Sequence, residues 1–220
     1  MKKIISYSLW GNNLKYLVGA VKNSILAKEF YPGWCSRFFV HNEVDKDVVK
    51  ELNRNGAEIF FFDSFPKWGA SLYRLIPIND EKAERVIFRD CDGRLSKRES
   101  EAVKEWESSD FDFHIMKDHP YHGSFPILAG MFGCKTFCIS NIENRIAEYI
   151  NGEEYHTDQQ FIQNNIWPLT IGNSLTHDEF FSQKDFPTKR NGEEYVGEPF
   201  DENDNPCDGT HREALKKFIS

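Results

Sequence analysis

The stretch from Arg85 to Ser96, RVIFRDCDGRLS, contains a short apolar run followed by two acidic residues, Asp90 and Asp92. The run from Val86 to Phe88 is typical of a strand buried on both faces, and Gly93 ends it. Successive strand side chains point to opposite faces, so the two carboxylates share a face only if the backbone stays extended to its end. The segment predicts an α/β sheet with both acids at the carboxyl edge, where ligands bind in open α/β sheets.

Two carboxylates at such an edge suit Mg²⁺ or Mn²⁺, because these ions prefer oxygen ligands and keep positions open for substrate phosphates. The sequence therefore predicts a site for a metal-bound diphosphate at Asp90 and Asp92. The alternative is an ordinary loop after a strand, in which turn chemistry favours aspartate. A pattern of three residues is too short to decide between these interpretations.

The chain has 220 residues and a formal net charge of -8. This length fits one large domain, or one domain with a C-terminal extension. The acidic balance argues against broad binding to nucleic acids or anionic membranes, which need a basic surface. Five cysteines, an odd number without paired spacing, predict free thiols and a cytoplasmic location. The apolar part of the opening MKKIISYSLWG is too short for a signal peptide, and no run approaches transmembrane length.

The first half of the chain alternates between patterns typical of strands and of helices. Strand patterns cover residues 4–9, 37–41 and 58–62, helical patterns cover 16–27, 45–55 and 68–80, and the acid-bearing strand follows near residue 86. Such an alternation predicts a mainly parallel sheet with helices on both faces.

The second half of the chain continues the alternation less regularly. It predicts helices over 97–108, 142–151 and 158–165 and a strand over 113–116, with Ser96 as the N-cap of the first helix. Beyond Trp167 the chain becomes rich in Asp, Asn, Gly and Pro with interspersed aromatic residues. This composition predicts an irregular tail that wraps on the body of the protein.

Three polar residues outside the acidic pair are candidates for the site, and each has a structural alternative. His177 ends a short apolar segment and is a candidate third metal ligand, although a lone histidine is usually structural or solvated. Asp158 begins a helix, where it caps the helix, contacts sugar hydroxyls or acts as a general base. Arg74 is either a surface side chain with a packed stem or an anion contact.

A loop that contains Asp118, His119 and His122 is a further candidate, because such side chains are useful where a diphosphate leaves. Several established motifs are missing from the sequence. There is no phosphate-binding P-loop, no Gly-x-Gly-x-x-Gly after the first strand, no serine nucleophile elbow and no zinc-protease helix. P-loop hydrolases and dinucleotide oxidoreductases therefore lose their main support.

Seven segments, in order along the chain, resemble the GT-A nucleotide-sugar glycosyltransferases, and among them the short domains of bacteria and large DNA viruses, including chlorella viruses. They are ISYSLWGNN at 5–13, YPGW at 31–34, IFRDCDGRLSKRE at 87–99, HIMKDHPYHGSFPILAGMFG at 114–133, YHTDQQFI at 155–162, LTHDEFF at 175–181 and FPTKRNGEEYVGEPFDENDNP at 186–206. Several motifs in one order are more specific than Asp-x-Asp alone. Where relatives have Arg-Asp-Ser-Asp-Ser-Arg, this chain has Cys91 and Gly93 but keeps both acids and Arg94.

The resemblance implies roles for individual residues. Asp90 and Asp92 correspond to the Asp-x-Asp motif, with Asp92 the more direct metal ligand, and His177 corresponds to a late histidine ligand. The end of the first strand resembles the segment that receives the nucleoside base, while Gly130 and Asp158 resemble residues beside the donor sugar. The residues implied to bind the donor or its metal are Ser8, Leu9, Gly11, Tyr16, Arg74, Asp90, Cys91, Asp92, Gly130 and His177, with Asp158 as the catalytic candidate.

The expected protein is a single GT-A-type, Rossmann-like α/β domain over residues 1–220 that uses Mn²⁺ or Mg²⁺. It moves a sugar from a nucleoside diphosphate sugar, expected to be a UDP-sugar, to a glycan hydroxyl. Residues 1–92 form the nucleotide-binding half, 93–180 the half for donor sugar and acceptor, and 181–220 the wrapping tail. The alternatives are a nucleotidyltransferase or sugar-nucleotide pyrophosphorylase, for which WGNN lacks the expected basic Gly-rich loop, and a non-catalytic carbohydrate-binding domain.

Overall fold

One mixed sheet of seven strands runs through the computed structural model, which describes residues 1–63, 69–149 and 156–219. The strands are β1 (Lys2–Leu9), β2 (Trp34–His41), β3 (Glu58–Phe62), β4 (Ala83–Phe88), β5 (Phe113–Lys117), β6 (Phe132–Lys135) and β7 (Ser174–Asp178). Their order across the sheet is β3-β2-β1-β4-β6-β5-β7. β6 is antiparallel to both of its neighbours, and the other pairs are parallel. The predicted α/β class with a mainly parallel mixed sheet is confirmed.

Helices cover both faces of this sheet. They are α1 (Leu14–Phe30), α2 (Lys46–Arg54), α3 (Lys97–Glu107), α4 (Ile142–Tyr149), α5 (Thr157–Asn165), α6 (Trp167–Thr170) and α7 (Gly209–Ile219). The segment Gly69–Asn79, expected to be α-helical, is a 3₁₀ helix with Pro77 inside it, and proline removes an α-helical hydrogen bond. Residues 68, 150 and 151 of the predicted helices lie outside the described residues. None of the helices within the described ranges combines the length and hydropathy needed to span a bilayer.

The core has two large apolar layers, one on each face of the sheet, and two smaller apolar clusters beside them. Alternate residues of a strand point to opposite faces, so Ile4 packs in one layer and Ile5 in the other. The first layer lies under the 3₁₀ helix, α4 and α5, and the second lies under α1, α2 and α3. Both layers are closed by large side chains that solvent does not reach, such as Phe161 in the first and Trp106 in the second.

The order of the strands reverses beside β1. The chain runs from β1 outward to β2 and β3, and then returns across β1 to place β4 on its other side. Helices on opposite faces therefore diverge from neighbouring strand ends at this point, which leaves a crevice at the carboxyl ends of β1 and β4. The acid-bearing loop follows β4 directly.

The C-terminal segment is held against the body of the protein by a buried carboxylate. Asp118, which solvent does not reach, forms ion pairs with Arg98 at 2.9 Å and with Arg190 at 2.7 Å. The backbone N–H of Val196 donates to the same carboxylate at 2.9 Å. Residues 181–208 form no helix or strand of this fold, as expected. The stretch from Trp167 onward that was predicted to be irregular nevertheless contains α6 and the sheet strand β7, and the chain ends in a helix, α7, that the sequence analysis did not predict.

Candidate functional site

A cleft with a volume of about 730 Å³ opens at the crevice between the carboxyl ends of β1 and β4. This volume is in the range of small-molecule binding sites. Ten residues that the sequence analysis assigned to the site line it: Ser8, Leu9, Gly11, Tyr16, Arg74, Asp90, Cys91, Asp92, Gly130 and Asp158. The fold thus brings together side chains that are far apart in the chain.

The acidic pair lies on a loop and not on the strand itself. β4 ends at Phe88, and the chain turns at Cys91 and Asp92. The extended backbone considered for this segment is therefore absent, and the turn brings both carboxylates to the cleft. The side chain of Asp90 is 55% exposed and that of Asp92 is 14% exposed, so the two acids differ in their access to water.

Helix α1 supports this acidic loop from below. The side-chain amide of Asn23 donates to the carbonyl of Gly93 at 2.9 Å and to that of Cys91 at 3.3 Å, and its oxygen accepts from Leu95 N–H at 3.1 Å. Gly19, one turn earlier, has no side chain because a Cβ there would lie 2.1 Å from the carbonyl oxygen of Cys91. The loop therefore rests on the helix backbone.

Arg74 connects the acidic loop to α5. Its guanidinium forms an ion pair with Asp90, a second ion pair with Asp158 at 2.5 Å, and a hydrogen bond to the carbonyl of Arg89 at 3.3 Å. Burial by itself would lower the pKa of Arg74, but the charges of Asp90 and Asp158 raise it above its ordinary value. A permanent buried cation thus pairs with two carboxylates that both line the cleft.

The interpretation of Arg74 as a surface side chain is wrong, because only 3% of the residue is exposed. Two serines of β1 fix its backbone. Ser6 donates to the carbonyl of Arg74 at 2.7 Å, and the hydroxyl of Ser8 accepts from Arg74 N–H at 2.9 Å. Small hydroxyl side chains at alternate strand positions therefore place the arginine that pairs with the acids.

Lys15 is a residue of the cleft region that the sequence analysis missed. It lies in the first turn of α1, and its Nζ is 2.9 Å from Asp92 Oδ2 and 4.4 Å from the centre of the Tyr16 ring. Burial and the neighbouring Asp90 charge raise the pKa of Asp92, while the Lys15 ammonium opposes this shift. The two carboxylates therefore have separate cationic partners, arginine for one and lysine for the other.

Gly130 approaches the acidic loop from the opposite wall. A Cβ at this position would lie 2.0 Å from Asp90 Oδ2 and 2.6 Å from Asp90 Cγ. The absence of a side chain thus makes room for the Asp90 carboxylate itself. The neighbouring backbone is fixed by Gln159, whose amide donates to Ile127 O at 2.5 Å and accepts from Ala129 N–H at 3.1 Å.

Three residues of the cleft are mainly structural in their contacts. Leu9 is 1% exposed and belongs to the apolar core. Gly11 has φ of 73°, a left-handed conformation that favours glycine, and its N–H donates to Glu43 Oε1 at 3.2 Å. Cys91 is 4% exposed, and its thiol donates to the carbonyl of Ser8 at 3.5 Å. Burial raises the pKa of Cys91, which keeps it a neutral thiol.

The structure does not bring the predicted metal ligand His177 together with Asp90 and Asp92, because His177 is not among the residues that line the cleft. It is fully buried in β7, where its Nδ1 is 2.8 Å from His114 Nε2 and its Nε2 is 3.0 Å from Glu105 Oε2. Both ring nitrogens thus have protein partners beneath α3. Of the histidine loop, His122 lines the cleft, whereas His119 is buried and its Nε2 bonds to the carbonyl of His211 at 2.9 Å.

A divalent metal would have two carboxylate ligands here. Within the described residues, no group of three or more His, Cys, Asp or Glu side chains could hold a metal ion. Asp90 and Asp92 still fit Mg²⁺ or Mn²⁺, because these ions are commonly held by one or two carboxylates together with water and substrate phosphates. Gly130 has no side chain, so the Asp90 carboxylate can occupy the space that a Cβ would fill and remain at the cleft.

No protein-family model and no curated protein sequence matches this chain. Solved structures do match. A glycosyltransferase involved in the glycosylation of the major capsid of PBCV-1 aligns with a TM-score of 0.50 and 12% identity, over 81% of this chain and 82% of that chain. The 4-diphosphocytidyl-2C-methyl-D-erythritol synthase from Anaerococcus prevotii aligns with a TM-score of 0.50 and 11% identity, over 86% and 90%.

A third structure is glucosyl-3-phosphoglycerate synthase from Mycobacterium tuberculosis, solved in complex with Mn²⁺, UDP and phosphoglyceric acid. It aligns with a TM-score of 0.44 and 12% identity, over 63% of this chain and 57% of that chain. The capsid glycosyltransferase and the erythritol synthase differ in their named activities yet both align with this chain, so the likeness shows the fold alone. The chain has the GT-A-type, Rossmann-like nucleotide-binding fold that its sequence motifs resemble.

Proposed function

We propose that this protein transfers a sugar from a nucleoside diphosphate sugar, with a UDP-sugar as the first candidate, to a hydroxyl of a glycan acceptor. The observation that carries the proposal is the pairing of Asp90 and Asp92 on one loop of the cleft, with Arg74 and Lys15 beside them. Paired carboxylates suit a metal that binds a diphosphate, and the two cations suit the negative charge of that diphosphate.

In this proposal, Asp90 and Asp92 hold Mn²⁺ or Mg²⁺. The metal, when bound, neutralises negative charge that develops on the leaving diphosphate. Ser8, Leu9, Gly11 and Tyr16 form the wall that receives the nucleoside, and Cys91 lines the cleft between the two acids in the sequence. Arg74 keeps Asp90 oriented, and Gly130 leaves the space that this orientation needs.

We assign to Asp158 the orientation of the donor sugar. Its Oδ2 accepts from Arg74 and its Oδ1 accepts from Gln159 N–H at 2.9 Å, so both oxygens already have protein donors. Asp158→Asn keeps the size of the side chain and should weaken donor affinity, as titration calorimetry would measure. An inverted product, with a turnover loss of about a hundredfold or more at unchanged donor affinity, would instead make Asp158 the general base.

The central test is the metal dependence of UDP binding. We expect Mn²⁺ to strengthen UDP binding. In Asp92→Asn the affinity for UDP in the presence of Mn²⁺ should fall at least about tenfold, because the amide carries no charge that attracts the metal. Calorimetry with and without Mn²⁺ measures both effects. Asp47→Asn is the matched control, because Asp47 is an exposed aspartate of α2 that pairs with Lys50. Equal UDP affinity in all of these experiments would refute the metal site.

Activity itself is tested by a screen of nucleotide sugars for metal-dependent release of the nucleoside diphosphate. Release of pyrophosphate from a nucleoside triphosphate and a sugar phosphate would favour the nucleotidyltransferase or pyrophosphorylase alternative. Glycan binding without turnover of any donor would favour a non-catalytic carbohydrate-binding domain. The loop at 10–13 contains one glycine and no basic residue, which supports the glycosyltransferase over the pyrophosphorylase.

Two further assignments, of the parts of the chain and of its location in the cell, accompany this proposal. We propose that 1–92 is the nucleotide-binding half, 93–180 the half for donor sugar and acceptor, and 181–220 the wrapping tail of a single domain. The location of the acids at the end of β4, the last strand of the first half, supports this division. The odd number of cysteines supports a cytoplasmic location.

A further inference from the structure

Lys15 stands at an unusual position for a lysine. It is the second residue of α1, a helix of 17 residues, and the first turn of this helix contains no acidic residue. The N-terminal end of a helix is positive, so a cation there is electrostatically unfavourable unless a nearby anion compensates it. In this fold the anion is Asp92, which belongs to a loop 77 residues further along the chain.

The contact between Lys15 and Asp92 lies at the acidic pair and is largely shielded from water. The Nζ to Oδ2 distance is 2.9 Å, and the two side chains are 27% and 14% exposed. The ammonium also lies 4.4 Å from the centre of the Tyr16 ring, a distance that allows a cation–π contact. Lys15 thus occupies one oxygen of the carboxylate assigned above as a metal ligand.

The same helix contains a second lysine–aspartate pair for comparison. Lys22 Nζ is 2.6 Å from Asp204 Oδ2, and it also donates to the carbonyl of Glu202 at 3.1 Å. Asp204 is 52% exposed and lies in the C-terminal tail. This pair fastens the tail to α1, whereas the Lys15 pair faces the acidic loop.

We propose that Lys15 is the resident counter-ion of Asp92: it competes with a divalent cation for this carboxylate when no donor is bound, and it contacts the donor diphosphate once the cation binds. This inference rests on the proposed function. It gives the enzyme a cation at the diphosphate end of the cleft that no metal-ligand pattern in the sequence indicates.

The chemistry of the two cations explains the exchange. An ammonium and a divalent ion repel each other, so both cannot remain against the same carboxylate at full strength. Lysine has a long flexible side chain, so its charged end can leave Asp92 without a backbone movement. The nearest new anion is then the diphosphate that the metal holds, and an ammonium with three donors binds phosphate oxygens well.

The experiment compares Lys15→Met with Lys22→Met, two equal substitutions in one helix. Binding of Mn²⁺ alone is followed by the electron paramagnetic resonance signal of the free ion, and binding of UDP at saturating Mn²⁺ is followed by calorimetry. For Lys15→Met we expect Mn²⁺ to bind about tenfold more tightly, because its competitor is gone, and UDP to bind about tenfold more weakly. Lys22→Met should change neither affinity.

An unchanged or weaker Mn²⁺ affinity in Lys15→Met would overturn the competition. An unchanged UDP affinity in that variant would overturn the contact with the diphosphate. Asp92→Asn separates these failures from a failure of the proposed function. If Mn²⁺ binds the native protein and Asp92→Asn equally, the metal site itself is wrong; if only the native protein binds Mn²⁺, the role of Lys15 is judged by the Lys15→Met result.

Discussion

Gly130 is the residue on which the position of Asp90 depends most directly. In Gly130→Ala the new Cβ would lie 2.0 Å from Asp90 Oδ2 and 3.3 Å from Asp90 N, and the ion pair with Arg74 restrains the carboxylate from turning away. We expect the Mn²⁺-dependent affinity for UDP, measured by calorimetry, to fall at least about tenfold.

Gly93→Ala is the control for this prediction, because a Cβ at Gly93 has Asp90 O as its nearest atom, at an ordinary 3.6 Å. This substitution also adds one methyl group, but on the acidic loop itself and without a collision. We expect Gly93→Ala to retain most of the UDP affinity. Equal losses in the two variants would show that the loop tolerates no added side chain, and that the contact between Gly130 and Asp90 is not the cause.

The residues of the cleft differed in how far the sequence revealed them. Asp90 and Asp92 were predictable because an apolar strand leads directly into them. Lys15 was not, because a lysine near the start of an exposed helix has the pattern of a surface residue, and its partner is 77 residues away. His177 was predicted to join the two acids because it ends a short apolar segment and resembles a late histidine ligand, but neither observation reports its partners His114 and Glu105, which lie on other elements.

Helix α1 acts as the platform of the acidic loop, and Asn23 makes the contact specific. The side chain of Asn23 is hydrogen-bonded to three backbone groups between Cys91 and Leu95, and the residue is 1% exposed. Asn23→Ala would leave those groups without a partner, so we expect the free energy of unfolding to fall by about 2–4 kcal/mol. Denaturant titration measures this change.

UDP affinity should fall in Asn23→Ala as well, because the loop that carries Asp90 and Asp92 loses its support. Asn53→Ala is the control: Asn53 is exposed on α2, so its replacement should change stability by no more than about 0.5 kcal/mol. A stable Asn23→Ala variant with native UDP affinity would show that Gly19 and the helix backbone alone hold the loop.

The alternation of helices and strands was predictable over most of the chain, because each element has its own periodicity. β3 occupies the predicted residues 58–62, and α1 and α3 contain the predicted helical stretches apart from the last residue of the second. The 3₁₀ geometry of Gly69–Asn79 was not predictable, because its pattern of apolar residues also fits an α-helix. The acidic loop was placed correctly at the sheet edge, yet its turn depends on α1 and on Gly130, which periodicity does not report.

Three histidines, two of them buried and His122 partly buried, make the stability of the whole molecule depend on pH. His114, His177 and His122 link β5, β7 and the loop after β5 to their neighbours, and burial lowers the pKa of each, that of His122 to about 3. Below an ordinary histidine pKa of about 6.5, the unfolded chain takes up protons that the folded chain does not. The contribution of these histidines to the free energy of unfolding should therefore be largest above this pH, and the free energy of unfolding should decrease as the pH falls from 7 to 5.

His122→Asn isolates one of these sites, because the Nδ1 of His122 accepts from Asp118 N–H at 3.0 Å and the amide oxygen of asparagine can accept the same bond. Burial is the main cause of the low pKa of His122, followed by the charges of His119 and His211. Denaturant titrations at pH 7, 6 and 5 measure how the free energy of unfolding falls with pH. Below pH 6, we expect this fall to be smaller for the variant than for the native protein by up to about 1.4 kcal/mol per pH unit. Equal slopes for the native protein and His122→Asn would mean that this histidine takes up its proton in the folded state as well, so that carboxylates and the other histidines alone set the response to acid.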